Sequence, residues 1–129
     1  MQKNTCFSIN SYIEIEDIIK SNQKNDKSLI LFINNYLIKG FGVDWLKEFI
    51  NKINKSYLAY NVKIYVDCGY DYGLAILVMS QKIHYLKLKS NKIILNKISQ
   101  IAKKNKVLLN PNFDVVEISK LKNCKNINI

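Results

Sequence analysis

The sequence predicts a single three-layer α/β domain, with about four mostly parallel strands and helices on both faces. Three observations lead there. Leu29 to Ile33 is a continuous apolar run of strand length, which suits a strand buried on both faces. The stretches between such runs carry apolar residues at helical spacing with lysines between them. Strand and helix then alternate three times, which implies right-handed βαβ crossovers and a parallel sheet.

Along the chain, Ser11 and Glu14 form a capping-box pattern, and Ile15, Ile18 and Ile19 follow at helical spacing, so a helix is expected over about 12–22. Ser21 to Lys27 is polar and reads as a connection to the strand at Leu29 to Ile33. The chain passes Gly40-Phe41-Gly42 and enters a second helix near Asp44, with Leu46, Phe49, Ile50, Ile53 and Tyr57 as its apolar stripe. Val62 to Asp67 is the second strand, and Cys68 to Gly73 the strongest turn signal. Gly73 to Lys82 reads as a short, almost wholly apolar helix and Tyr85 to Lys89 as a third strand. Ser90 and Asn91 sit where a cap is needed for a helix that turns Ile94, Ile98, Ile101 and Ala102 inward. Val107 to Leu109 is a fourth strand, stopped by Asn110-Pro111. Phe113 to Ile118 adds a short closing element. The domain is expected over 1–118, followed by a polar tail over 119–129.

The chain has 129 residues, 48% of them apolar, enough for one core and too few for two. No run approaches the roughly 18 apolar residues of a membrane span. The first residues have no apolar h-region, which argues against a signal peptide. Cys6, Cys68 and Cys124 are an odd number without CxxC spacing and suit reduced thiols in a cytosol. With a single histidine, no zinc spacing and no cofactor motif are present, so neither a metal nor a cofactor is expected.

All 20 basic residues are lysine and the net charge is +10. Lysine, asparagine and isoleucine have AT-rich codons, and the absence of arginine removes the bidentate forks that phosphate and guanine recognition favours. A nucleic-acid partner is therefore not favoured on composition. The charge is nevertheless uneven: from residue 82 onward eleven lysines face only Asp114 and Glu117. Lys87, Lys89, Lys92, Lys97, Lys103 and Lys104 are the candidates for a polyanion contact within Lys82 to Lys106.

In open parallel sheets, ligands gather beyond the carboxyl ends of the strands. Here that edge holds Asn34-Asn35, Asp67-Cys68-Gly69, Lys89-Ser90-Asn91 and Asn110. Asp67, Cys68, Gly69, Asp71 and Gly73 form its most informative segment, leading from a strand end into a helix start. Backbone N–H groups there suit an anion, which the two carboxylates oppose. The simpler reading makes an aspartate the helix cap and Gly69 and Gly73 the residues that permit tight turns. Cys68 lacks a base: His84 precedes the third strand and so lies at the opposite sheet edge. Gly40-Phe41-Gly42 has neither the third glycine of a dinucleotide fingerprint nor a P-loop lysine, and Trp45 beside it reads as a core anchor.

Gly42-Val43-Asp44-Trp45-Leu46, Val66 to Gly69 with Gly73-Leu74-Ala75, and Leu108 to Pro111 with Phe113-Asp114 together resemble a small family of uncharacterised alphaproteobacterial α/β proteins. The resemblance covers about residues 28–118 and implies the fold and a bacterial cytosolic setting; it carries no activity. Those relatives are alanine- and arginine-rich, whereas this chain is lysine- and isoleucine-rich. Asp71 to Leu77 is also similar to the Asp-Ser-Ser-Gly-Leu turn and helix of STAS domains, which are regulatory α/β modules. One tyrosine replaces the two serines, so the phosphorylatable serine is missing.

The function expected from these features is a non-enzymatic binding or regulatory module. It would use Asp67 to Gly73, with Ser90 and Asn91 beside them, for a protein partner or small ligand. The alternatives are the lysine contact above and a small enzyme centred on Asp67 or Cys68. A homodimer would cover the exposed edges of a lone four-stranded sheet.

Overall fold

The structure is a computed structural model, and it describes residues 5–21, 29–57 and 60–117. Leu29–Ile33, five apolar residues buried without exception, form β2, with β1 (Thr5–Ile9) on one side and β3 (Val62–Asp67) on the other. The remaining strands are β4 (Tyr85–Lys87), β5 (Leu108–Leu109) and β6 (Val115–Glu117). The helices are α1 (Tyr12–Ser21), α2 (Asn35–Phe41), α3 (Val43–Ser56), α4 (Tyr72–Met79) and α5 (Lys92–Lys104).

The class is α/β, and the sheet runs β5-β4-β3-β2-β1-β6 with every neighbouring pair parallel. It has six strands where about four are expected. One addition is β1, whose Thr-Cys-Phe-Ser-Ile sequence is too polar to announce a buried strand. Its register against β2 nonetheless buries Cys6, Phe7, Ser8 and Ile9, and the Ser8 hydroxyl accepts from Asn34 Nδ2 at 2.5 Å. The other is β6, the expected closing element, which pairs with the far side of β1. Sequence reading also leaves the stretch before Gly40 without an element. It forms α2, seven residues with only Leu37 and Ile38 buried, too short for a periodic signal.

The three-layer expectation holds, with the layers unevenly built. From β1 to β5 each strand is added on the same side of the last, and right-handed crossovers then place every connection on one face. The buried side chains of all five helices accordingly share one core with Phe7, Ile9, Leu31, Ile33, Ile64, Val66 and Leu86. This corrects the expectation of helices on both faces. The step from β5 to β6 reverses direction, so residues 110–114 cross the opposite face. There Phe113 packs edge-on to Tyr85 at 4.9 Å and Tyr65 at 6.0 Å, beside a smaller core of Cys6, Ile30, Phe32 and Tyr65.

Helix ends follow local chemistry. Ser11 Oγ accepts from the Glu14 N–H at 3.4 Å, and Glu14 Oε1 accepts from the Asn10 N–H at 2.7 Å. Asn91 caps α5, its Oδ1 accepting from the Ile94 N–H at 2.9 Å. Gly42, at φ +95°, separates α2 from α3. Trp45 stacks on Phe49 at 4.8 Å, a packing role. No described helix is long and apolar enough to cross a membrane. The expected connection over Ser21 to Lys27, apart from Ser21 at the end of α1, the tail over 119–129 and Cys124 lie outside the described residues.

Candidate functional site

The carboxyl ends of β2, β3 and β4 are tied to one another by side-chain and backbone hydrogen bonds rather than left as separate loops. Asp67 ends β3; its carbonyl accepts from Asn35 Nδ2 at 3.1 Å, and its Oδ1 accepts from the Gly69 N–H at 3.0 Å. The Cys68 N–H donates to the Lys87 carbonyl at 2.9 Å, and the Lys89 N–H donates to the Gly69 carbonyl at 2.8 Å. Gly69 takes φ +60°, the left-handed region that favours glycine. The Asp71 N–H donates to the Cys68 carbonyl at 3.1 Å, and Asp71 Oδ1 caps α4 by accepting from the Leu74 N–H at 3.0 Å. Such a cap is worth about 1 kcal/mol.

Gly73 departs from expectation. It lies inside the first turn of α4 and its φ is not positive, so no tight turn requires glycine there. A Cβ would meet only Asp71 Oδ1, at 3.4 Å. What Gly73 does is line a groove of about 540 Å³ between α2 and α4. Apolar Ile38, Val43, Leu74 and Leu77 line it together with Lys39 and Tyr70. Ile38 and Lys39 belong to α2, the helix that sequence reading misses, so that wall of the groove has no helical signal in the sequence. Tyr70 stands at its rim with 78% of its surface exposed.

Of the other sequence candidates, Cys68 contributes to the groove wall but is fully buried. Burial first, then the Asp67 and Asp71 carboxylates, push its thiol far above the ordinary range, which favours the thiol over the thiolate. Burial likewise pushes the Cys6 thiol up to about 12. Asn91 is occupied as the α5 cap, and neither it nor Ser90 lines the groove. The six lysines divide between two sides. Lys87 and Lys89 alternate with Leu86 and Leu88, which enter the helix-side core, so they project from the opposite face. Lys87 Nζ lies 5.9 Å from the Phe32 ring there. Lys92, Lys97, Lys103 and Lys104 are exposed on α5, on the helix side.

His84 sits at the amino edge of the sheet, away from Cys68, and its Nδ1 accepts from the Ile64 N–H at 3.1 Å. Burial and then Lys63 lower its pKa. The unfolded chain, at about 6.5, therefore takes up the proton first. Stability from His84 is complete above about pH 6.5 and declines as the pH falls through that value toward the lower folded pKa. Urea midpoints measured from pH 7 down to about 5 should fall more steeply for the native protein than for His84→Gln; parallel slopes would remove His84 from the account.

Among the described residues no group of three or more His, Cys, Asp or Glu side chains could hold a metal ion. No protein-family model matches the chain, and no curated protein matches it. The functional reading therefore rests on the geometry of the carboxyl edge.

Proposed function

We propose that this protein is a non-enzymatic binding module of the cytoplasm whose groove at the sheet's carboxyl edge receives a small ligand or a partner's side chain. The observation that carries the reading is the groove itself: about 540 Å³, with four apolar lining residues and a tyrosine and a lysine at its margin. That volume and mixture suit a ligand-binding cleft. The burial of Cys68, which favours its thiol over the thiolate, speaks against a thiol-based reaction, and Asp67 and Asp71 already accept backbone hydrogen bonds that shape the loop. Cys6 and Cys68, both free and buried, accord with a reducing compartment.

Gly73 supplies the test. Gly73→Leu places a side chain in the groove at a helical position without backbone strain. It is expected to stabilise the fold by about 0.5 kcal/mol, since glycine is a poor helix former. The same change should abolish ligand binding. Amide spectra of the labelled protein, titrated with adenosine, uridine, indole and benzoate, read the second effect. Shifts confined to Asn35, Lys39 and Tyr70–Leu77, lost in Gly73→Leu, are expected. No shift with any probe, or shifts that survive Gly73→Leu, would overturn the proposal.

A further inference from the structure

The groove does not end at its rim. Tyr70 lines it, and on the outer side Lys89 Nζ lies 5.8 Å from the Tyr70 ring. Lys89 is the last of three residues, Tyr85, Lys87 and Lys89, that project in turn from the helix-free face. Alternate residues of a strand are about 6.6 Å apart, so these three make a straight row leading up to Tyr70. Lys63, which alternates with the core residues Val62 and Ile64, joins the same face from β3. Three acids lie near the row: Asp67, in register with Lys87 and engaged with the Gly69 N–H; Asp71, engaged as the α4 cap beside Tyr70; and Asp114, next to the Phe113 that packs on Tyr85.

From this row we infer that the partner of the carboxyl edge is single-stranded nucleic acid, its backbone following Lys87 and Lys89 and a base stacked on Tyr70 at the mouth of the groove. The inference rests on the groove reading above and names its ligand class. Three features favour this occupant over an acidic peptide. The exposed Tyr70 ring offers a flat face, which a base of any sequence can stack on. The lysines stand in line along a strand rather than in a cluster. Lysine point charges suffice for a backbone read without base specificity, so the absence of arginine is no obstacle here. The composition alone argues the other way; the placement of Lys89 beside the exposed Tyr70 ring, with Lys87 two residues before it on the same face, changes the balance. The α5 lysines, on the other side of the sheet, take no part.

The test is fluorescence anisotropy with labelled oligouridylate and oligodeoxythymidylate of about 12 nucleotides, within the site size of single-strand binders. Binding is expected at about 50 mM salt and should weaken steeply by about 200 mM. Tyr70→Ala should lose about tenfold in affinity, and Tyr70→Phe, which keeps the ring, should retain it. Lys87→Gln/Lys89→Gln should weaken binding and flatten the salt slope by about two. Lys97→Gln/Lys103→Gln/Lys104→Gln removes more charge, yet should change affinity by less than about twofold, because charges beyond the screening length contribute little. Equal losses from the two sets of lysines would overturn the inference, as would polyglutamate competing as well as unlabelled oligonucleotide. Absent oligonucleotide binding with groove shifts still seen for indole or benzoate would overturn the inference and leave the groove reading standing. Absence of both would overturn both.

Discussion

Asn110→Ala is expected to lower stability by about 2–3 kcal/mol, because it orphans two backbone groups of a buried residue. Asn110 Oδ1 accepts from the Leu88 N–H at 2.8 Å, and Asn110 Nδ2 donates to the Leu88 carbonyl at 3.0 Å. Its side chain thus continues the β4–β5 ladder beyond the two residues of β5, while its own N–H donates to the Leu86 carbonyl at 2.7 Å. Leu88 is 1% exposed, so water is a poor substitute partner. Asn110 also takes φ +49°, a conformation asparagine tolerates better than alanine. Thermal unfolding should show a midpoint about 10 °C lower for a chain of this length. Asn110→Gly separates the two effects: it relieves the backbone and still loses both hydrogen bonds. A loss below about 1 kcal/mol for Asn110→Ala would mean that Leu88 finds other partners.

Gly69→Val should cost about 2–3 kcal/mol and weaken any ligand held in the groove. Part of this is the left-handed backbone, worth about 1–2 kcal/mol for a residue with a Cβ. The rest is collision, since a Cβ would lie 3.0 Å from Asn35 Oδ1 and 3.2 Å from Asn35 Cγ. Moving Asn35 breaks its bond to the Asp67 carbonyl, which ties α2, and with it Ile38 and Lys39 of the groove, to β3. A double-mutant cycle of Gly69→Ala with Asn35→Ala isolates the collision. Coupling between the two changes is expected; strict additivity would show that the loop shifts as a unit and that Asn35 does not set the position of α2.

Much of the fold is legible locally. Leu29–Ile33 and Val62–Asp67 are strands with the predicted bounds, and α5 begins at the cap that Asn91 announces. These elements carry their own signal, in apolar runs, helical spacing or a capping side chain next to the group it caps. The elements that escape are those whose signal is not local. Thr5–Ile9 is a strand because β2 and β6 flank it, and α2 is too short for its own periodicity to declare it. The site divides in the same way. Asp71 as the α4 cap and Gly69 as a left-handed glycine follow from neighbouring residues. Asn35 and Asn110 do not, since their partners stand 32 and 22 residues away.

By itself, then, the sequence determined the α/β class, the central strands, the capped helices and the position of the carboxyl-edge turn. Each depends on residues within a turn or two of one another. Tertiary structure alone decided that the helices crowd one face and that Phe113 crosses the other. It also decided that Lys87 and Lys89 part company from the α5 lysines, and that Gly73 borders a groove instead of making a turn. All of these follow from the order in which strands join the sheet. A right-handed crossover changes face only when that order reverses, and no local run of residues records on which side the next strand is laid.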